Sequence, residues 1–182
     1  TAAGILSGEL HAALTATVIL SMVLTPVLVL AVGRLLPQEE QSFDGVEKAD
    51  GLEGRVLIIG FGRFGQVASQ LMLARGVDVS IIDNDTEMIR AAGDFGFKVY
   101  YGDGTRLDIL HAAGADKAEI IAVCVDKRDA TDRIVELCKT EFPFITLLVR
   151  SYDREHALQL VQKGVTHQVR ETFESALAFG RM

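Results

Sequence analysis

Residues 55–65, read as RVLIIGFGRFG, constrain the fold more than any other stretch of the chain. Val56, Leu57, Ile58 and Ile59 form a short apolar run with β-branched members. Gly60, Gly62 and Gly65 follow at GxGxxG spacing, and residues 66–73 (QVASQLML) then suit a helix. Strand, glycine turn and helix in that order is the context a dinucleotide fingerprint needs. Gly60 permits the tight turn, Gly62 lets backbone approach a pyrophosphate with no Cβ in the way, and Gly65 allows close helix–strand packing. The helix N-terminus offers unpaired N–H groups and partial positive charge to phosphates. A second run, Val79-Ser80-Ile81-Ile82, ends in Asp83. An acid at the tip of the second strand is where a ribose hydroxyl is expected. Together these predict a nucleotide site; the alternative is a glycine-rich strand–helix turn without a ligand.

Beyond residue 55 the pattern is regular. Strands are expected at 56–59, 79–82, 98–101, 120–125 and 144–149, with a short sixth at 166–169. Helices are expected at 64–74, 86–94, 106–113, 131–140 and 154–163, closed by Gly76, Gly96, Gly114 and Gly164, while Pro143 bounds the fifth strand. Strands alternating with helices of this length imply βαβ units. The predicted fold class is α/β, a Rossmann-like doubly wound parallel sheet. Such a sheet holds ligands at the C-terminal ends of its strands. Two further loops lie there. In the first, 101–106 (YGDGTR), Asp103 suits an adenine amino group and Thr105 suits a helix cap, a nucleotide contact, or both. In the second, 125–129 (VDKRD), Asp126 suits a helix cap, with nucleotide contact as the other reading.

The 182-residue chain carries a net charge of −7 and is 49% hydrophobic. No basic stripe is present, so a nucleic-acid partner is not expected. The apolar excess is concentrated at the N-terminal end. Residues 12–33 carry no charge and are long enough to cross a hydrocarbon core of roughly 30 Å. Their hydroxyl residues suit backbone hydrogen bonding, and Pro26 is expected to break the run. The stretch lacks the basic flank and cleavage site of a signal peptide. Arg34 after the run, against Glu9 before it, favours a cytoplasmic C-terminal side. Thr1 in place of Met predicts a fragment of a longer protein. Residues 37–54 are acidic, glycine-bearing and poor in apolar side chains, and read as a linker. The expected division is 1–36 as the end of a membrane domain, 37–54 as linker, and 55–182 as the nucleotide-binding domain. Cys124 and Cys138 read as reduced thiols, and none of the four histidines has metal-ligand spacing. No Cys, His–Asp pair or Ser–base arrangement accompanies the fingerprint, so ligand holding is expected rather than catalysis.

The motifs GFGRFGQ at 60–66, IDND at 82–85, YGDGTR at 101–106, AGADKAE at 113–119 and RETFESAL at 170–177 resemble the C-terminal part of Kef-type glutathione-gated potassium efflux antiporters. That resemblance implies a regulatory domain of the KTN or RCK type behind a last transmembrane helix. Such a domain binds NAD(H) or AMP without turning it over, forms a homodimer and gates the attached membrane domain. Glutathione keeps such antiporters closed and its adducts open them, and a soluble flavin quinone oxidoreductase can associate. The implied location is a bacterial inner membrane, with residues 37–182 cytoplasmic. By motif position, Gly60, Phe61, Gly62, Arg63, Phe64 and Gly65 carry over as nucleotide-binding residues. Asp83 and Asn84 carry over at the ribose, and Asp103 and Thr105 at the adenine side. Arg63 carries over as a glutathione contact, since a guanidinium fork binds a carboxylate bidentately; the other reading is a surface arginine that meets nucleotide phosphate or a linker acid. Arg150, at the end of the fifth strand, is a second candidate for that anion site. Gly104 stands where many relatives have Ala, a mild change, and Val169 precedes RETFE where a proline is common. The chain ends before the segment that completes the family's sensing pocket. Two other readings remain: a membrane-anchored NAD-dependent oxidoreductase, and a Trk-type potassium uptake regulator.

Overall fold

A computed structural model describes residues 8–35 and 43–182, and the chain divides into two compact units, 1–41 and 42–182. The first unit holds one helix, α1 (Gly8–Leu35), 28 residues long. At 1.5 Å per residue it is about 42 Å in length. Its segment Leu10–Val29 is long and apolar enough to cross a membrane. The helix runs on through Pro26, which does not break it as the sequence suggested. The hydroxyls of Thr15, Thr17 and Thr25 donate to carbonyls one turn back, at 2.7–2.8 Å. They thereby satisfy their own polarity within the helix. The side chains of Glu9 and Arg34 and linker residues 37–42 lie outside the described residues.

The second unit is a six-stranded sheet in the order β3-β2-β1-β4-β5-β6, every pair parallel. Its strands are β1 (Val56–Ile59), β2 (Val79–Asp83), β3 (Tyr100–Tyr101), β4 (Ile120–Val123), β5 (Thr146–Ser151) and β6 (His167–Arg170). The intervening helices are α2 (Arg63–Ala74), α3 (Thr86–Asp94), α4 (Leu107–Ala112), α5 (Arg128–Glu141) and α6 (Arg154–Gln162), and α7 (Glu171–Gly180) follows β6. Strand residues alternate between two apolar layers. Leu57, Ile59, Ile121 and Val123 pack against Ile134, Val135, Cys138 and Leu160 on one face. Ile58, Ile81 and Cys124 pack with Phe61 and Ile89 on the other. Both faces are covered, which is why these strands are almost wholly apolar.

Several expectations change. β3 is two residues, not four, and the stretch read as a linker folds onto it. The Ala49 amide donates to the Tyr101 carbonyl at 2.9 Å, and the Tyr101 amide donates to the Glu47 carbonyl at 2.7 Å. Lys48 forms a parallel bridge with Tyr101, Phe43 meets the Tyr101 ring edge-on at 4.9 Å, and Ala49 is buried. Residues 43–54 are therefore a packed strap rather than a solvated spacer. β4 ends at Val123 rather than Val125, one residue before the Cys124 amide makes its bond to the Ile59 carbonyl. α5 begins at Arg128 rather than Thr131. β5 starts at Thr146, beyond Pro143. α7 was not expected; none of its residues is buried, and Phe173, Leu177 and Phe179 stand exposed.

Candidate functional site

The sheet order reverses direction between β1 and β4, and a crevice opens at their C-terminal ends, as doubly wound sheets dictate. The glycine turn forms its floor. Gly60 adopts φ +99°, which only glycine takes readily, and its amide donates to the Ile82 carbonyl at 2.9 Å. A Cβ on Gly60 would stand 2.9 Å from the Val125 amide nitrogen, and one on Gly65 would run into the Gly60 carbonyl. Gly62 differs: a Cβ there would meet only Asp126 Oδ2, at 3.7 Å. The first and third glycines are thus demanded by the protein's own packing. The second leaves room above α2, whose N-terminus has no side-chain cap and no acid in its first turn. First-turn amides without a carboxylate from their own helix suit an anion, although Asp83 takes the Phe61 amide and Asp126 stands beside Gly62.

The cleft above this turn has a volume of about 300 Å³ and is lined by Gly60, Gly62, Asp83, Asn84, Asp126 and Lys127, among others. A narrower extension of about 50 Å³ reaches Gly102, Asp103, Gly104 and Thr105. Asp83 lies at the end of β2, with its carboxylate holding the glycine turn in shape. Oδ2 accepts from the Phe61 amide at 2.6 Å and Oδ1 from the Asp85 amide at 2.8 Å. Carboxylate oxygens have further lone pairs, so these bonds leave acceptor capacity for a hydroxyl. Asp103 Oδ1 accepts from both the amide (3.0 Å) and the hydroxyl (2.7 Å) of Thr105. Thr105 therefore shapes its own loop and does not cap α4, whose N-cap is Arg106.

The structure separates the remaining sequence candidates. Phe61 is 1% exposed and its ring packs on Phe97 at 5.2 Å, so its side chain belongs to the core and not to the cleft. Phe64 lies beneath the Arg150 guanidinium at 5.6 Å and is not in the lining of the cleft. Arg63 is exposed and has no ion partner among the described residues. Arg150, its side chain 15% exposed, is held by Asp126 and by Glu171 Oε2 at 2.7 Å. Its Nε is buried without a hydrogen-bond partner. Asp126 is thus an ion-pair partner from the β4–α5 loop and not a helix cap; the N-cap of α5 is Lys127. Phe64, Arg150 and Cys124 line a separate apolar cavity of about 430 Å³, beside β5 and β6. Burial pushes the Cys124 thiol up to about 12, and the Cys138 thiol likewise, so neither is a reactive thiolate.

Sequence reasoning placed the loop 125–129 where ligands bind but singled out only Asp126 in it; Val125 and Lys127 line the cleft as well. The signal available was their place directly after a strand in a doubly wound pattern, where side chains face the ligand crevice.

A TrkA-N domain model matches residues 56–171. A glutathione-regulated potassium-efflux system protein of Haemophilus influenzae is 42% identical over 98% of this chain and 30% of its own length. The KefC protein of Cronobacter sakazakii is 42% identical over 99% of this chain and 29% of its own length. The chain thus spans about 30% of the length of these curated relatives. Among solved structures, the Shewanella denitrificans Kef CTD in AMP-bound form is 42% identical, with a TM-score of 0.62. That match covers 69% of this chain and 75% of that one. GsuK bound to ADP is 26% identical with a TM-score of 0.63, covering 73% of this chain and 34% of that one. The chain belongs to the TrkA-N domain family, in its Kef-type branch.

Proposed function

We propose that residues 55–182 are a nucleotide-binding regulatory domain that gates a potassium:proton antiporter under glutathione control. In this reading residues 1–36 are the end of its membrane domain in a bacterial inner membrane, and residues 37–182 are cytoplasmic. The observation that carries it is the open space over Gly62, beside an uncapped helix N-terminus and Asp83. The domain holds AMP or NAD(H) as a bound ligand and does not turn it over. Gly60, Gly62 and Gly65 form the phosphate turn, Asp83 and Asn84 meet the ribose, and Asp103 and Thr105 meet the adenine side. The AMP in the Shewanella Kef CTD supports this reading.

Arg63 and Arg150 are the proposed glutathione contacts. Arg63 is free to bind a carboxylate, whereas at Arg150 a carboxylate of the tripeptide replaces Asp126 or Glu171. The working unit is a homodimer, a reading supported by the exposed apolar side chains of α7 and the open apolar cavity beside β5 and β6. A soluble flavin quinone oxidoreductase is a further partner, and nucleic acid is not. Ligands act by favouring one of two dimer arrangements, which the chain relays to the membrane gate. The test is competition between glutathione and a bulky thioether adduct on the whole cytoplasmic dimer. One shared site with opposite conformational effects is expected, and identical effects refute the gating route. NADH consumption with a quinone acceptor is expected to be negligible; robust turnover overturns the non-catalytic role.

A further inference from the structure

Four carboxylates stand around the cleft, and each is engaged. Asp83 holds the glycine turn, Asp85 caps α3, Asp103 holds Thr105, and Asp126 is paired with Arg150. The cleft above Gly62 has one cationic side chain in its lining, Lys127. Of the nearby cations, Arg150 is held by two acids and Arg128 by Gln159 at 2.6 Å and Glu155 at 3.5 Å, while Arg63, which has no ion partner among the described residues, follows Gly62 but is not in the lining of the cleft. The Lys127 ammonium has no ion partner among the described residues.

Its location is unfavourable for stability. Lys127 is the N-cap of a 14-residue helix and supplies no side-chain cap. A cation at a helix N-terminus opposes the helix dipole, and Ser, Thr, Asp or Asn would serve better there. Asp129 in the first turn offsets the dipole, but the N-cap supplies no side-chain acceptor for the first amides, and a position that breaks a local rule in this way is a candidate functional position. The compensation expected here is an anion in the cleft. The N-termini of α2 and α5, neither with a side-chain cap, both border that space, and Lys127 is in the same lining as Gly62, so a phosphate over Gly62 shares the cleft with both amides and an ammonium-bearing side chain.

We propose that Lys127 recognises the phosphate group of the bound nucleotide and is the chief side-chain cation of this cleft. This rests on the nucleotide reading given under Proposed function. The experiment titrates AMP and adenosine into the full 182-residue chain in detergent, as wild type, Lys127→Met and Lys127→Arg. Lys127→Met is expected to weaken AMP about tenfold, the scale of one lost charge-assisted hydrogen bond, while adenosine binding stays unchanged. Lys127→Arg restores most of the AMP affinity. The slope of AMP affinity against salt becomes shallower in Lys127→Met alone. Unchanged AMP affinity in Lys127→Met, or an equal loss for AMP and adenosine, overturns the assignment. Wild-type protein that binds neither compound overturns the nucleotide reading itself, a result distinct from the failure of Lys127 alone.

Discussion

Replacing Gly62 and Gly65 separately by alanine separates ligand space from packing space. A Cβ on Gly65 would overlap the Gly60 carbonyl, which cannot retreat because the Gly60 amide is bonded to Ile82 and its Cα already lies against Val125. α2 would have to lift from β1. Overpacking of this kind costs about 1–3 kcal/mol, and backbone against backbone belongs at the upper end. At Gly62 the new methyl meets only Asp126 Oδ2 at 3.7 Å, and φ −64° with ψ −173° suits alanine. Two small effects oppose each other there. Lost unfolded-chain entropy stabilises by about 0.4–1 kcal/mol, and alanine caps a helix less well than glycine by a similar margin. Gly62→Ala should therefore stay within about 1 kcal/mol of wild type while its methyl occupies the phosphate position. Denaturant melts of the detergent-solubilised chain give the stabilities, and AMP titration gives the affinities. Gly65→Ala should lose about 2–3 kcal/mol. Gly62→Ala should melt normally and bind AMP at least tenfold more weakly. A Gly62→Ala protein that binds AMP like wild type would refute the placement of the phosphate, and a Gly65→Ala protein of wild-type stability would refute the packing argument.

Gly104 offers a second packing test: a Cβ there lies 2.5 Å from the Ile59 Cγ2 methyl, so alanine is not the mild change the resemblance implied. Gly104→Ala should cost about 1–3 kcal/mol in a denaturant melt, and Ile59→Ala in the same chain should return part of it, giving a positive coupling in a double-mutant cycle. Asp126→Asn should tighten AMP binding severalfold, because it removes an anion beside Gly62 and frees Arg150; weaker binding would show that Asp126 supports the ligand. His156 is fully buried, its Nδ1 accepts from the Tyr152 amide at 3.0 Å, and its Nε2 is 3.8 Å from Asp132 Oδ1. Burial lowers its pKa, outweighing the attraction of Asp132 and Asp153, with Arg128 and Lys163 adding to the lowering. The unfolded chain then takes up a proton near pH 6.5 that the folded chain refuses. Stability should fall as pH drops below that value, by at most about 1.4 kcal/mol per pH unit, and His156→Gln should flatten the slope in melts at pH 5–7.5.

The core of the fold was legible because its signals are local. Val56 to Ile59 could only be a doubly covered strand, the glycines marked the turn after it, and Asp83 followed at the tip of the next apolar run. Signals that depend on distant partners were not legible. Asp126 and Thr105 read as helix caps because short polar side chains at loop ends suit capping and tertiary pairing equally well. Only the fold brings Arg150, on another strand, against Asp126. The start of α5 was hidden by Lys127 and Arg128, which give no capping signal. The strap at 43–54 looked solvated from its acids, yet Ala49 is buried and Leu52 joins the core edge. α7 buries nothing within the chain, so no internal pattern announced it.

The strap has a consequence for how copies of this chain can meet. An edge strand exposes a row of free amides and carbonyls that invites another strand to extend the sheet. At β3 both polar groups of Tyr101 are bonded to the strap, and Phe43 covers the Tyr101 ring. The strap thereby occupies the Tyr101 groups that an added strand would need. A strand added at this end would have to displace the strap, whereas at the far end β6 passes into α7.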